Sequence, residues 1–192
     1  DDVHFPRTSL ICIENTHNKC HGFPLDLDYI NLVCNIAHEN NIKVHMDGAR
    51  MFNACAALDL KADIVLKNID SVTFCLSKGL ASPIGSVICG SSEFIDEARR
   101  IRKSLGGGMR QTGIIAAPGI IGLNTMIDRL KEDHENARYL ADSLSNLEGI
   151  ELNPDLVKTN IIFFNFKHPS ISSSQLVSHM KSNGIIFSDY NG

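Results

Sequence analysis

The chain has 192 residues, 43% of them hydrophobic and 21% charged, which suits one globular domain or one domain with the start of another. Its formal net charge of −4 argues against nucleic acid as the main partner, because phosphate-binding proteins carry a basic excess. No apolar run approaches the about 18 residues that cross a bilayer, so no membrane partner is expected, and no signal peptide is visible.

In chain order, "SLICIE" (9–14) reads as a short buried strand ended by the polar "NTHN". "DLDYINLVCNIAHENN" (26–41) reads as a helix, with Ile30, Val33, Cys34 and Ala37 on one face and Asp26 or Asp28 at its start. A strand at 42–46 and a short helix at 49–58 follow, then strands at 71–76 and 84–90. The segment 92–105 is predicted helical, with acids in its first turn and bases in its last, as the macrodipole favours. "MRQTGIIAAPGIIGLNTM" (109–126) is apolar nearly all round and holds Pro118, which predicts a buried, kinked helix at a subunit contact. Segment 129–147 is amphipathic, with Leu130, Ala137, Leu140, Leu144 and Leu147 in a stripe. Beyond it, "GIEL" and "NIIFFNF" read as strands, Ser172 and Gln175 fit a capping box for a helix to about Asn183, and "GIIF" starts a further strand.

Strands alternating with helices predict an α/β fold with a mostly parallel sheet covered by helices on both faces. A change of pattern near residue 129 divides residues 1–128 from residues 129–192, read as a linker helix and the start of a smaller α+β domain. The first residue is Asp1 rather than Met, which suggests a fragment or a processed product. The six cysteines are scattered without a C-x-x-C pair and mostly sit in apolar runs, so they are read as buried and reduced, in a cytoplasmic setting. The eight histidines form no H-x-x-x-H or H-x-x-E-H pattern, and no metal site is expected.

Two polar groups close apolar strands. Asp47 follows "IKVHM" and Lys78 follows "SVTFCL", 31 residues apart, about the span of one strand–helix–strand unit. Ligands in open α/β sheets bind at the carboxyl ends of strands, so the pair would face one crevice. The two residues alone are compatible with a plain ion pair. They are equally compatible with a pyridoxal phosphate site, which needs a lysine amine for a Schiff base and a carboxylate to keep the pyridine nitrogen protonated. An apolar, partly dry pocket would favour a free amine on Lys78, and Gly79 and Gly85 would let a flat ring approach the backbone.

Four stretches occur in order: "ENTHN" (14–18), "VHMDGARMFNA" (44–54), "SVTFCLSKGLASPIGSVICG" (71–90) and "RRIRKSLGGGMRQTGIIAAPG" (99–119). Together they resemble the threonine aldolases, pyridoxal-phosphate lyases with the aspartate-aminotransferase-like fold, type I of the cofactor's enzymes. The likeness is strong over residues 8–127 and weaker to the end. It implies that Lys78 carries the Schiff base and that Asp47 pairs with the pyridinium nitrogen. It implies that Arg50 reaches the cofactor's phenolic oxygen or the substrate carboxylate. Arg110 would contact the cofactor phosphate from the neighbouring subunit of a homodimer or homotetramer. Asn15, Thr16 or His17 would line the ring edge. The implied substrate is a β-hydroxy-α-amino acid, threonine or allo-threonine giving glycine and acetaldehyde. In this family the catalytic base, the residue stacked on the ring and the arginine for the substrate carboxylate lie outside residues 1–192. The alternatives are a related lyase that eliminates Cβ substituents from aromatic or sulfur amino acids, and a non-catalytic remnant of such an enzyme. Bland roles stand beside these: a scaffold salt bridge for Arg50, a glycine-rich turn alone around Arg110, and structural roles for His17 and His45.

Overall fold

The computed structural model describes residues 2–189. Its first half is a sheet built from β1 (Leu10–Glu14), β2 (Lys43–Asp47), β3 (Ser71–Cys75) and β4 (Ser86–Gly90), in that spatial order. β1, β2 and β3 run parallel, and β4 returns antiparallel to β3. Helix α1 (Leu27–Glu39) crosses from β1 to β2, while α2 (Met51–Leu58) and the short α3 (Ala62–Val65) cross from β2 to β3. α4 (Ser92–Ser104) and α5 (Gly113–Thr125) follow β4. The last part consists of α6 (Leu130–Leu144), the antiparallel pair β5 (Ile150–Glu151) and β6 (Asn165–Phe166), and α7 (Ser173–Ser182).

One face of the main sheet carries the core. Val44 and Met46 of β2, Val72 and Phe74 of β3, and Leu76 and Leu80 beyond β3 pack on Ile30, Cys34 and Ala37 of α1 and on Met51 and Cys55 of α2. Burial alternates along β2, so this strand is not the continuous apolar run that a sheet covered on both sides would produce. The opposite face is more open: Thr73, Ile88 and the apolar side of α4 (Phe94, Ile101) border a groove of about 700 Å³. Asp70 ties the start of this layer together. It accepts from the Val44 backbone N–H at 2.9 Å and from Lys43 Nζ at 2.7 Å, and lies 2.8 Å from His38 Nε2 at the end of α1.

α5 is a helix with Pro118 inside it; in the single chain Gly119 and Gly122 are buried and Leu123 packs on the core, while Ile114, Ile120 and Ile121 are exposed. Several other expectations are corrected. The buried side of α6 runs through Leu130, Ala137 and Ala141, while Leu140 and Leu147 face outward. Of the predicted strand "NIIFFNF" only Asn165–Phe166 pairs, and "GIIF" forms no strand. All six cysteines are free, yet only Cys34 and Cys55 are buried; Cys12, Cys20 and Cys89 are exposed. Asp26 takes the N-cap of α1 without a side-chain bond. Ser172 and Gln175 form the expected capping box at α7. Among the described residues, no helix is long and apolar enough to cross a membrane.

Candidate active site

β1, β2 and β3 are parallel, so their carboxyl ends lie side by side. Glu14 pairs in register with Asp47, and Asp47 with Thr73, two residues before β3 ends. The chain holds this rim tightly. The Asn15 N–H donates to the Asp47 carbonyl at 2.9 Å, and the Gly48 N–H donates to the Thr73 carbonyl at 2.7 Å. Gly48 is required by this approach, because a Cβ there would lie 2.8 Å from the Thr73 oxygen.

Asp47 is exposed, and its Oδ1 accepts from the Ala49 N–H at 3.0 Å. That bond turns the chain toward α2, whose N-cap is Arg50. The other carboxylate oxygen makes no protein hydrogen bond among the described residues. Lys78 stands three residues past β3, in a turn where the Ala81 N–H bonds to the Lys78 carbonyl at 2.9 Å and the Ser82 N–H to the Leu76 carbonyl at 3.0 Å. Its ammonium has no ion pair or hydrogen bond among the described residues. Lys78 is exposed in the single chain, so residues 2–189 alone do not form the apolar, partly dry pocket expected around it. A plain Asp47–Lys78 ion pair is absent, and both charges are left for something else.

Arg50 is half-buried and also unpaired, so no scaffold salt bridge holds it. It lines a small hollow with Gly48, Asn53, Cys75, Gly79 and Leu130, which brings it to the turn that bears Lys78. It also reaches the edge of an open groove of about 890 Å³, whose other walls include His21, Phe163, Leu176 and Phe187. Asp47 and Lys78 do not line that groove. Arg110 is exposed in the loop between α4 and α5, three residues before α5 begins, and lines neither space.

Asn15 and Thr16 are fully buried. Asn15 Oδ1 accepts from the Leu25 N–H at 3.1 Å, whereas Asn15 Nδ2 and Thr16 Oγ1 take no protein partner among the described residues. His17 Nε2 lies 3.3 Å from a Glu14 carboxylate oxygen. His45 Nδ1 lies 2.8 Å from Ser71 Oγ, a structural link between β2 and β3. Among the described residues, no group of three His, Cys, Asp or Glu side chains is placed to hold a metal ion.

Sequence reasoning missed two residues behind the site, Asn53 and His134. Asn53 Nδ2 lies 3.1 Å from His134 Nε2, across 81 positions of chain. No local pattern announces a pair so distant; the one signal was a histidine on the inner side of an amphipathic helix.

A family model described as beta-eliminating lyase matches residues 1–167. The chain belongs to this beta-eliminating lyase family. Within reach of the family lie a low-specificity L-threonine aldolase of Arabidopsis thaliana, 43% identical over 183 residues, which span 95% of this chain and 51% of the relative. The low specificity L-threonine aldolase of Escherichia coli K12 is 39% identical over 186 residues, 97% of this chain and 54% of the relative. The chain thus spans about half the length of the curated relatives it matches. The crystal structure of a proposed L-allo-threonine aldolase from Listeria monocytogenes superposes with a TM-score of 0.84 at 21% identity, covering 98% of this chain and 52% of that one. The chain therefore has the predicted fold, a mostly parallel sheet with helices, which it shares with that structure and with the crystal structure of a PLP-dependent aminotransferase from Streptococcus suis, TM-score 0.69 at 16% identity over 96% of this chain and 49% of that one.

Proposed function

We propose that this chain is part of a pyridoxal-phosphate-dependent aldehyde lyase that cleaves threonine or allo-threonine to glycine and acetaldehyde. The observation that carries the reading is the pair of charges without an ion-pair partner, Asp47 at the carboxyl end of β2 and Lys78 just past that of the adjacent parallel strand β3. The aldolase names of relatives at about 40% identity support it. The donor set fits the cofactor: one free amine, one carboxylate with an oxygen to spare, and a free guanidinium at the same rim.

In this reading Lys78 would hold the cofactor covalently through Nζ, and Asp47 would keep the proton on the pyridine nitrogen. Arg50 binds the cofactor's phenolic oxygen or the substrate carboxylate, and its two-pronged donor geometry suits either oxygen pattern. When bound, pyridoxal phosphate supplies an electron sink for the pair released as Cα–Cβ breaks. Arg110, remote from the hollow in its own chain, serves the phosphate of a neighbouring subunit in a homodimer or homotetramer. The exposed isoleucines of α5 suit burial in such an assembly. Residues 1–128 belong to the large cofactor-binding domain, and residues 129–192 form the linker helix and the start of a smaller one. A cytoplasmic, reducing setting accords with six free cysteines.

A second reading, elimination of a Cβ substituent from aromatic or sulfur amino acids, is favoured by the family's own description. The complete natural polypeptide, loaded with pyridoxal phosphate and reduced with borohydride, is expected to carry the label on Lys78. A label elsewhere overturns the assignment. Glycine and acetaldehyde from threonine support aldol cleavage; pyruvate and ammonia from a β-substituted amino acid, without cleavage of threonine, support elimination.

A further inference from the structure

The turn that bears Lys78 is clamped from two sides. On one side, α5 presents two glycines: a Cβ on Gly122 would lie 2.5 Å from the Leu80 carbonyl oxygen, and one on Gly119 would lie 2.8 Å from Leu76 Cδ1. On the other side stand α2 and α6. A Cβ on Gly79 would lie 2.7 Å from Leu130 Cδ2 and 3.3 Å from Asn53 Oδ1. Leu130 is fully buried, and Asn53 is 3% exposed.

An apolar contact such as Leu130 on Gly79 resists compression but has little preference for direction. A hydrogen bond does have one, and Asn53 makes such a bond: its Nδ2 lies 3.1 Å from His134 Nε2. An amide nitrogen only donates, so Nε2 is the acceptor and the ring is neutral, with its proton on Nδ1. Burial pushes the His134 pKa down, with Asp133 partly opposing, which agrees with a neutral ring. His134 follows Leu130 by four residues and therefore shares its side of α6. The amide of Asn53 thus has its nitrogen on His134, and its oxygen fills part of the space that a Cβ on Gly79 would need. Without the bond to His134 the amide is free to change rotamer, and the surface on which Gly79, the residue next to Lys78, packs is lost.

We infer that His134 is a positioning residue which, through Asn53, fixes the turn carrying Lys78 and so the direction in which the lysine amine is presented. This rests on the reading of Lys78 as the covalent anchor. The test uses the complete natural polypeptide with pyridoxal phosphate and threonine. His134→Leu removes the acceptor and keeps the bulk; His134→Gln restores an acceptor. The readouts are the rate at which borohydride traps the cofactor on Lys78, kcat and KM, and the melting temperature. His134→Leu is expected to slow trapping and lower kcat by about ten- to a hundred-fold, the scale of a small misplacement of a reacting group, with KM little changed. His134→Gln is expected to recover most of both. Asn53→Ala is expected to show the same loss, and adding His134→Leu to it to cost no more. If His134→Leu folds poorly, as its melting temperature shows, the comparison of His134→Gln with Asn53→Ala serves instead, with parent-like trapping expected of the first and slow trapping of the second. Trapping and turnover like the parent in His134→Leu, or a Gln variant as slow as the Leu variant, would overturn the inference. Failure of the parent protein to label Lys78 would overturn the underlying reading as well, and is seen before any variant is made.

Discussion

Replacing Gly122 by alanine sets two effects of opposite sign against each other. In an ordinary helix interior the change stabilises by about 1 kcal/mol, because glycine loses more backbone freedom on folding. Here the new methyl would lie 2.5 Å from the Leu80 carbonyl oxygen and 3.2 Å from Ser82 Oγ. The serine hydroxyl can turn away, but the carbonyl is backbone, in a turn whose flanking Ser82 N–H is bonded to Leu76. Relief therefore requires α5 to back off from the Lys78 turn, opening contacts along its length. Overpacking of this kind costs about 1–3 kcal/mol, and an unyielding neighbour places it in the upper part of that range. Subtracting the propensity gain leaves a net loss of about 1–2 kcal/mol. Urea denaturation followed by circular dichroism reads the difference. Gly113→Ala is the control on the same helix: nothing lies within 4 Å of its added Cβ, and it is expected to be neutral or slightly stabilising. A Gly122→Ala protein as stable as its parent would refute the account of α5 as a close-packed clamp.

Two further predictions concern titrating groups. Burial raises the Asp70 pKa, but Lys43, the Val44 N–H and His38 outweigh it and bring the value from the ordinary 3.8 to about 2. The charged form is thus favoured by folding: the stabilisation is complete above about pH 4 and is lost as pH falls through about 2. Allowing for screening at a partly exposed carboxylate, Asp70→Asn is expected to lose about 1–2 kcal/mol at pH 7, with the deficit closing in acid; a deficit that persists at pH 2 would be wrong. Burial also pushes the Cys55 thiol up to about 11. Iodoacetamide at pH 8 is expected to leave Cys55 unmodified until denaturant is added, as read by peptide mass mapping.

The sheet was legible because its strands are short apolar runs bounded by polar turns, and Asp47 and Lys78 stood out because each interrupts such a run at its carboxyl end. The roles given to Asp47, Lys78, Arg50 and Arg110 came from the four motifs, not from any pattern of periodicity. Two kinds of error have physical causes. Composition records how apolar a segment is but not what covers it: α5 leaves Ile114, Ile120 and Ile121 exposed among residues 2–189, and residues 161–164 are half-buried without pairing as a strand. The same blindness made Cys12, Cys20 and Cys89 seem buried. Contacts that join distant positions leave no local trace either. Gly119 and Gly122 looked like ordinary small residues in an apolar helix, and the Asn53–His134 bond was invisible until the fold brought its ends together.

α6 has fifteen residues, about 22 Å of unbroken rod. Near its beginning Leu130 and His134 press on the Lys78 turn and α2, while further along Ala137 and Ala141 seat the cluster of Val157, Leu152 and Ile162. Such a strut cannot shift at one end alone. A bulkier residue at position 137 or 141, remote from any reacting atom, would be felt as a displaced lysine.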